Sequence, residues 1–112
     1  MMMNMTMAGF AHVTTPRAWL STWSALSSHA DLVANAARVD EPTLVVHAAR
    51  DREVYFDRDV RPVVEASAAR DKRLVRIEGA RHYFEPDFGE TAAPDVERVM
   101  DVVVPWIRER FA

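Results

Sequence analysis

Pro42-Thr43-Leu44-Val45-Val46-His47-Ala48-Ala49-Arg50-Asp51 decides how the rest of the chain is read. Glu41 precedes a proline, which pushes it out of the α region and ends whatever helix comes before. Leu44, Val45 and Val46 form a short, largely β-branched apolar run between Thr43 and His47, the pattern of a strand buried on both faces. Downstream, Asp57 to Ala69 reads as a helix: Asp59 caps it, Pro62 sits in its first turn, and Val60, Val63, Val64 and Ser67 or Ala68 share a face. Arg73 to Ile77 then sets Leu74 and Ile77 among charged neighbours around Val75, as in a second strand nearer a sheet edge. Two strands joined by a crossover helix lie parallel with a right-handed connection. The fold class predicted is therefore α/β.

Upstream of this unit, Thr15 caps a helix whose first position is Pro16, and Trp19, Leu20, Trp23 and Leu26 recur on it at helical spacing. Ser27, Ser28 and His29 end it, and a second short helix over Asp31 to Arg38 presents Leu32, Val33 and Ala36 inward. Residues 1–14 show little periodicity and are expected to be a loose leader; they lack the positive region and apolar core of a signal peptide. Downstream, residues 78–92 hold two of the three glycines and Pro86, and read as an irregular loop. Pro94 opens a last helix with Val96, Val99, Met100, Val103, Ile107 and Phe111 on one side, kinked at Pro105 where the ring meets the carbonyl of Asp101. A two-stranded parallel sheet is a poor core by itself, because its inner edge leaves backbone and the apolar side of Val45 uncovered. Further sheet is expected, from a missing portion or from another chain.

Composition narrows the function. A net charge of -3, with 14 basic against 17 acidic residues and 13 arginines scattered from Arg17 to Arg110, makes no basic stripe, so nucleic acid is not an expected partner. The longest apolar stretch, Val102 to Ile107, is interrupted by Pro105 and falls far short of the roughly 20 residues that span a bilayer. With no cysteine there is no disulfide or thiolate chemistry; a cytoplasmic location is the expectation. His12, His29, His47 and His82 show no metal-ligand spacing, and neither a metal nor a cofactor is implied.

Asp51 lies just past the first strand and His82 just past the second, at the end where open parallel sheets place ligand sites. A carboxylate facing an imidazole there can hold its tautomer and stabilise the imidazolium that forms when it takes a proton. Read plainly, the aspartate is a turn residue and the histidine a solvated loop residue. Asp57, Asp59 and Glu85 are alternative acids, and His47 reads as a packed, hydrogen-bonded neutral side chain. Tyr83 and Phe84 line a pocket or simply pack. Trp19 and Trp23 roof an apolar substrate or serve core and lid packing, the latter being the stronger reading.

The stretch from Pro42 to Val54 resembles the α/β-hydrolase segment in which an apolar strand ends in a small residue, here Ala48. The triad acid then follows three positions on, at Asp51, and a hydrophobic residue three after that, at Val54. The family often has glycine where Ala48 stands. Ile77-Glu78-Gly79-Ala80-Arg81-His82-Tyr83-Phe84 is similar to the stretch that brings in the triad histidine, with Arg81 at a usual glycine position, where it fills the pocket mouth or pairs with an acid. Val103-Val104-Pro105-Trp106-Ile107-Arg108-Glu109-Arg110-Phe111 resembles the family's last helix. The resemblance covers residues 40–112, with residues 15–39 resembling, more loosely, the end of a lid insertion. It implies an incomplete α/β-hydrolase fold, the C-terminal two parallel strands with flanking helices, and a Ser-Asp-His triad of which Asp51 and His82 are present.

The nucleophile is not recognisable. None of Gly9, Gly79 and Gly89 begins a G-x-S-x-G elbow, and Ser21, Ser24, Ser27 and Ser28 lie on or beside a predicted helix. When complete, such a protein acts on a small-molecule ester or related carboxylic acid derivative. The competing class is an inactive fragment or assembly module whose sheet edge is covered by an N-terminal hydrolase portion or a second copy.

Overall fold

The structure, a computed structural model, describes residues 13–24, 26–89 and 91–112. Most of the expected leader, with His12, lies outside the described residues. Helix α1 spans Pro16–Trp23 and starts as the sequence indicates, with Thr15 Oγ1 accepting the Ala18 N–H at 3.2 Å and Pro16 in the first turn. Helix α2 is shorter than expected, Leu32–Ala36; Asp31 caps it by accepting the Ala34 N–H at 2.9 Å. Its inward set is corrected too. Only Ala36 is buried, where its carbonyl takes the Ala68 N–H, while Leu32 and Val33 are 65% and 40% exposed.

Strand β1, Thr43–Ala48, and strand β2, Lys72–Ile77, pair in parallel with Thr43 opposite Lys72 and Ala48 opposite Ile77. The crossover departs from a simple α-helix. A π-helical turn, Phe56–Val60, leads into helix α3, Arg61–Ala66, and the Arg61 N–H reaches back five residues to the Phe56 carbonyl. Pro62 accounts for this: it has no N–H to offer and its ring crowds the carbonyl four residues earlier, so the turn before it opens. Asp59 therefore sits inside the first turn instead of ahead of it, and its Oδ2 reaches back to accept the Tyr55 N–H at 2.7 Å.

One sheet face carries Val46, Ala48, Val75 and Ile77, which with Ala80 form the core that Phe84 and helix α4, Pro94–Phe111, cover through Val99 and Val102. His47 lies on the other face against Phe56, their rings 5.6 Å apart, and its Nε2 donates to the Val54 carbonyl at 3.2 Å. The α/β architecture is thus a two-stranded parallel sheet with α3 and α4 flanking it. Helix α4 runs through Pro105, and its buried face is Val99, Val102 and Trp106. The expected stripe is corrected: Val96, Met100, Ile107 and Phe111 are 44–66% exposed.

Bonds from Thr43 N–H to Asp71 and from Ala49 N–H to Ile77 set the ladder's alternation. The amides of Leu44 and Val46 therefore point to the opposite edge of β1, where no described residue pairs with them. The strand expected to be buried on both faces is partly covered for most of its length and buried only at His47 and Ala48. The missing cover is the reason: one neighbour strand shields one edge alone.

Candidate active site

The ladder does not stop where the strands do. Ala49 N–H donates to the Ile77 carbonyl at 3.1 Å and Arg50 N–H to the Ala80 carbonyl at 2.8 Å, so the two loops leaving the C-terminal ends of β1 and β2 are tied together. Ala80 reaches that position through a turn in which its N–H bonds Ile77 at 3.2 Å and Gly79 adopts φ +84°. That conformation is open to glycine and costs a side-chain-bearing residue about 1–2 kcal/mol.

Within this frame Asp51 is held from several directions. Its N–H closes a turn to the Ala48 carbonyl at 3.1 Å. Its Oδ1 accepts the N–H groups of Glu53 at 2.8 Å and Val54 at 3.0 Å, an Asx turn that fixes the carboxylate plane. Oδ2 is left for His82, whose Nδ1 lies 2.7 Å away although the residues are 31 apart in sequence. The Asp51 side chain is only 6% exposed and that of His82 28%.

Burial pushes the Asp51 carboxyl up, but the Val54 N–H, His82 and the Glu53 N–H outweigh it and hold the group below its ordinary value of 3.8. Hydrogen bonding to Asp51 raises the His82 imidazole above its ordinary 6.5 against the opposing effect of burial, helped by the charges of Asp51, Glu53 and Glu85. With Nδ1–H donated to Asp51, neutral His82 presents the lone pair of Nε2 outward. Glu53 Oε2 lies 3.8 Å from Nε2, a distance that attracts only the imidazolium, since a carboxylate and a neutral Nε2 are both acceptors. Glu53 is a site residue that sequence reasoning missed; its signal is an acid two positions after the triad-like Asp51.

A groove of about 420 Å³ runs from the pair along the open side of β1, lined among others by Val46, Val54, Val60, Val63 and Phe84. Phe84 packs on the core in the left-handed region, φ +55°, and its N–H closes a turn to the Arg81 carbonyl at 2.8 Å. A bulky residue rarely adopts that conformation, and such strain persists only where surrounding structure enforces it. Tyr83 is 63% exposed with its ring edge-on to His82 at 4.5 Å. Arg81 pairs with Glu85 and Asp87, each at 3.3 Å, and donates to the Pro86 carbonyl, closing its own loop. Trp19 and Trp23 are not among the residues lining the groove.

No serine lines it either. The hydroxyls of Ser21, Ser27 and Ser28 donate to backbone carbonyls of α1, Ser24 accepts the Leu26 N–H and Ser67 accepts the Ala69 N–H. Among the described residues no cluster of acids and histidines is placed to hold a metal ion, and no helix is long and apolar enough to cross a membrane.

Fold and geometry together define a small α/β domain with a carboxylate-held histidine at the C-terminal rim of its parallel strands. Compared with protein-family models and with curated proteins, the chain matches none.

Proposed function

We propose that the chain supplies the acid and the base of a Ser-Asp-His acyl-transfer relay of α/β-hydrolase type, acting on an ester or related carboxylic acid derivative. His82 Nε2 takes the proton of a hydroxyl nucleophile as the nucleophile attacks the carbonyl carbon, and returns it to the leaving group. Asp51 keeps Nδ1 protonated and stabilises the imidazolium in between. The nucleophile and oxyanion-binding groups come from further sheet that pairs with the open edge of β1. On this reading residues 40–112 are the C-terminal portion of the catalytic domain and residues 15–39 the end of its lid.

The observation that carries the proposal is the 2.7 Å contact between His82 Nδ1 and Asp51 Oδ2, made while Oδ1 is occupied by two backbone N–H groups. Backbone donors can orient an aspartate anywhere. An aspartate so oriented that its remaining oxygen meets an imidazole, on a histidine that itself lines a groove, is an arrangement that suits general-base catalysis.

A second reading, an assembly module without catalysis, is favoured by the edge at Leu44 and Val46, which no described residue pairs, and by the exposed apolar stripe on α4. One experiment separates the two. The tagged chain is isolated from its own cells with whatever it binds and treated with a fluorophosphonate. The relay reading expects a serine of the companion to be labelled, and His82→Ala to slow labelling by about 100-fold or more. A complex that stays unlabelled, or labels equally with His82→Ala, would leave only the assembly reading.

A further inference from the structure

We propose that the site takes substrates bearing a carboxylate, held by Arg50 and Arg52, with an apolar portion on the opposite side of the reacting centre. The inference rests on the acyl-transfer reading of Asp51 and His82 and adds a substrate class to it: an ester or related derivative that carries a free carboxylate.

His82 is a shared wall between two depressions of opposite character. One is the apolar groove of about 420 Å³. The other, about 320 Å³, is lined by Arg50, Arg52, Glu53, Arg81, His82 and Glu85. A molecule lying across the imidazole has hydrocarbon beneath one end and guanidinium groups around the other.

The charges in the polar depression are not all available. Arg81 is engaged by Glu85, Asp87 and the Pro86 carbonyl, and Glu85 also accepts the Tyr83 N–H at 2.9 Å. By contrast, neither the Arg50 nor the Arg52 guanidinium has an ion pair or hydrogen bond with any described residue. In the turn that follows, Arg58 and Arg61 are paired with Asp59 and Asp57. Glu53 is the only acid lining the depression that Arg81 does not hold, so two open cations face one carboxylate. Their origins are set: Arg50 N–H is bonded to Ala80, and Asp51 between them is held by its turn and its Asx bonds. Guanidinium forks match a carboxylate's two oxygens, whereas an uncharged ester offers them no comparable acceptor.

The test uses the 112-residue chain and two probes of similar hydrocarbon length, octanoate and octan-1-ol, followed by NMR through the His82 ring resonances. Octanoate is expected to bind about fivefold more tightly than the alcohol at low ionic strength. That advantage should shrink in about 0.5 M NaCl and vanish in Arg50→Gln/Arg52→Gln. Arg17→Gln/Arg108→Gln, which removes the same charge elsewhere on the exposed surface, should preserve it. Equal binding of both probes, an equal loss in the two double variants, or octanoate shifts that bypass His82 would overturn the inference. Failure of the acyl-transfer reading gives a different pattern: octanoate binds as described while a companion isolated with the chain stays unlabelled by the fluorophosphonate or labels equally with His82→Ala.

Discussion

At Asp51 the two carboxylate oxygens do different jobs, one fixing the side chain to its own loop and the other meeting His82. Asp51→Asn keeps the shape and removes the charge, so the His82 pKa should fall towards 6.5; an NMR titration giving the wild-type value would refute the coupling. The same pair sets a pH window for stability. Asp51 is lowered, so its contribution is complete above 3.8 and is lost as pH falls through the lowered value. His82 is raised, so its contribution is complete below 6.5 and is lost as pH rises through the raised value. Unfolding by urea should therefore show the variant's deficit at its largest between these limits and smaller at alkaline pH. Asp51 and His82 were legible in the sequence because each follows an apolar run by a few residues, and parallel strands put such positions on one rim. Glu53 offered only its place two positions after Asp51, and its approach to a histidine in another loop depends on how the two loops meet.

Elements divide in the same way. The strands were readable because a short β-branched run bounded by a proline and a polar loop has few alternatives, and a cap such as Thr15 depends only on near neighbours. The buried face of α4 was not readable. Val96, Val99, Met100, Val102, Val103, Val104, Trp106 and Ile107 make this helix apolar on more than one side, and periodicity cannot choose between two apolar stripes. The choice falls to the sheet, which receives Val99 and Val102. Trp106, 8% exposed beneath the Arg110 guanidinium, should cost about 3–5 kcal/mol on substitution by alanine. Ile107→Glu, at a residue 46% exposed, should stay within about 0.5 kcal/mol. Denaturant midpoints in the reverse order would restore the stripe expected from sequence.

Over the whole molecule the packing is loose. The Cα radius of gyration is 16.6 Å, against about 13 Å for a compact domain of this length. No large side chain among the described residues is fully buried, and the core centres on Ala48, Ile77 and Ala80. Each exposed residue of the α4 stripe, already about half covered, would contribute roughly 1–2 kcal/mol if covered completely. The expectation of further sheet comes from two parallel strands making a poor core; an open edge specifies backbone pairing and leaves a partner's side chains undefined, so the sequence names no occupant. What the chain carries itself is a partly exposed imidazole made more basic because Asp51 holds its Nδ1. The direct measurement is the rate of p-nitrophenyl acetate hydrolysis by the isolated chain as a function of pH, with water as the nucleophile. The expected result is a rate above that of the uncatalysed reaction, rising through a pKa above 6.5 as His82 loses its proton and disappearing in His82→Ala. A profile that His82→Ala leaves unchanged would contradict the account.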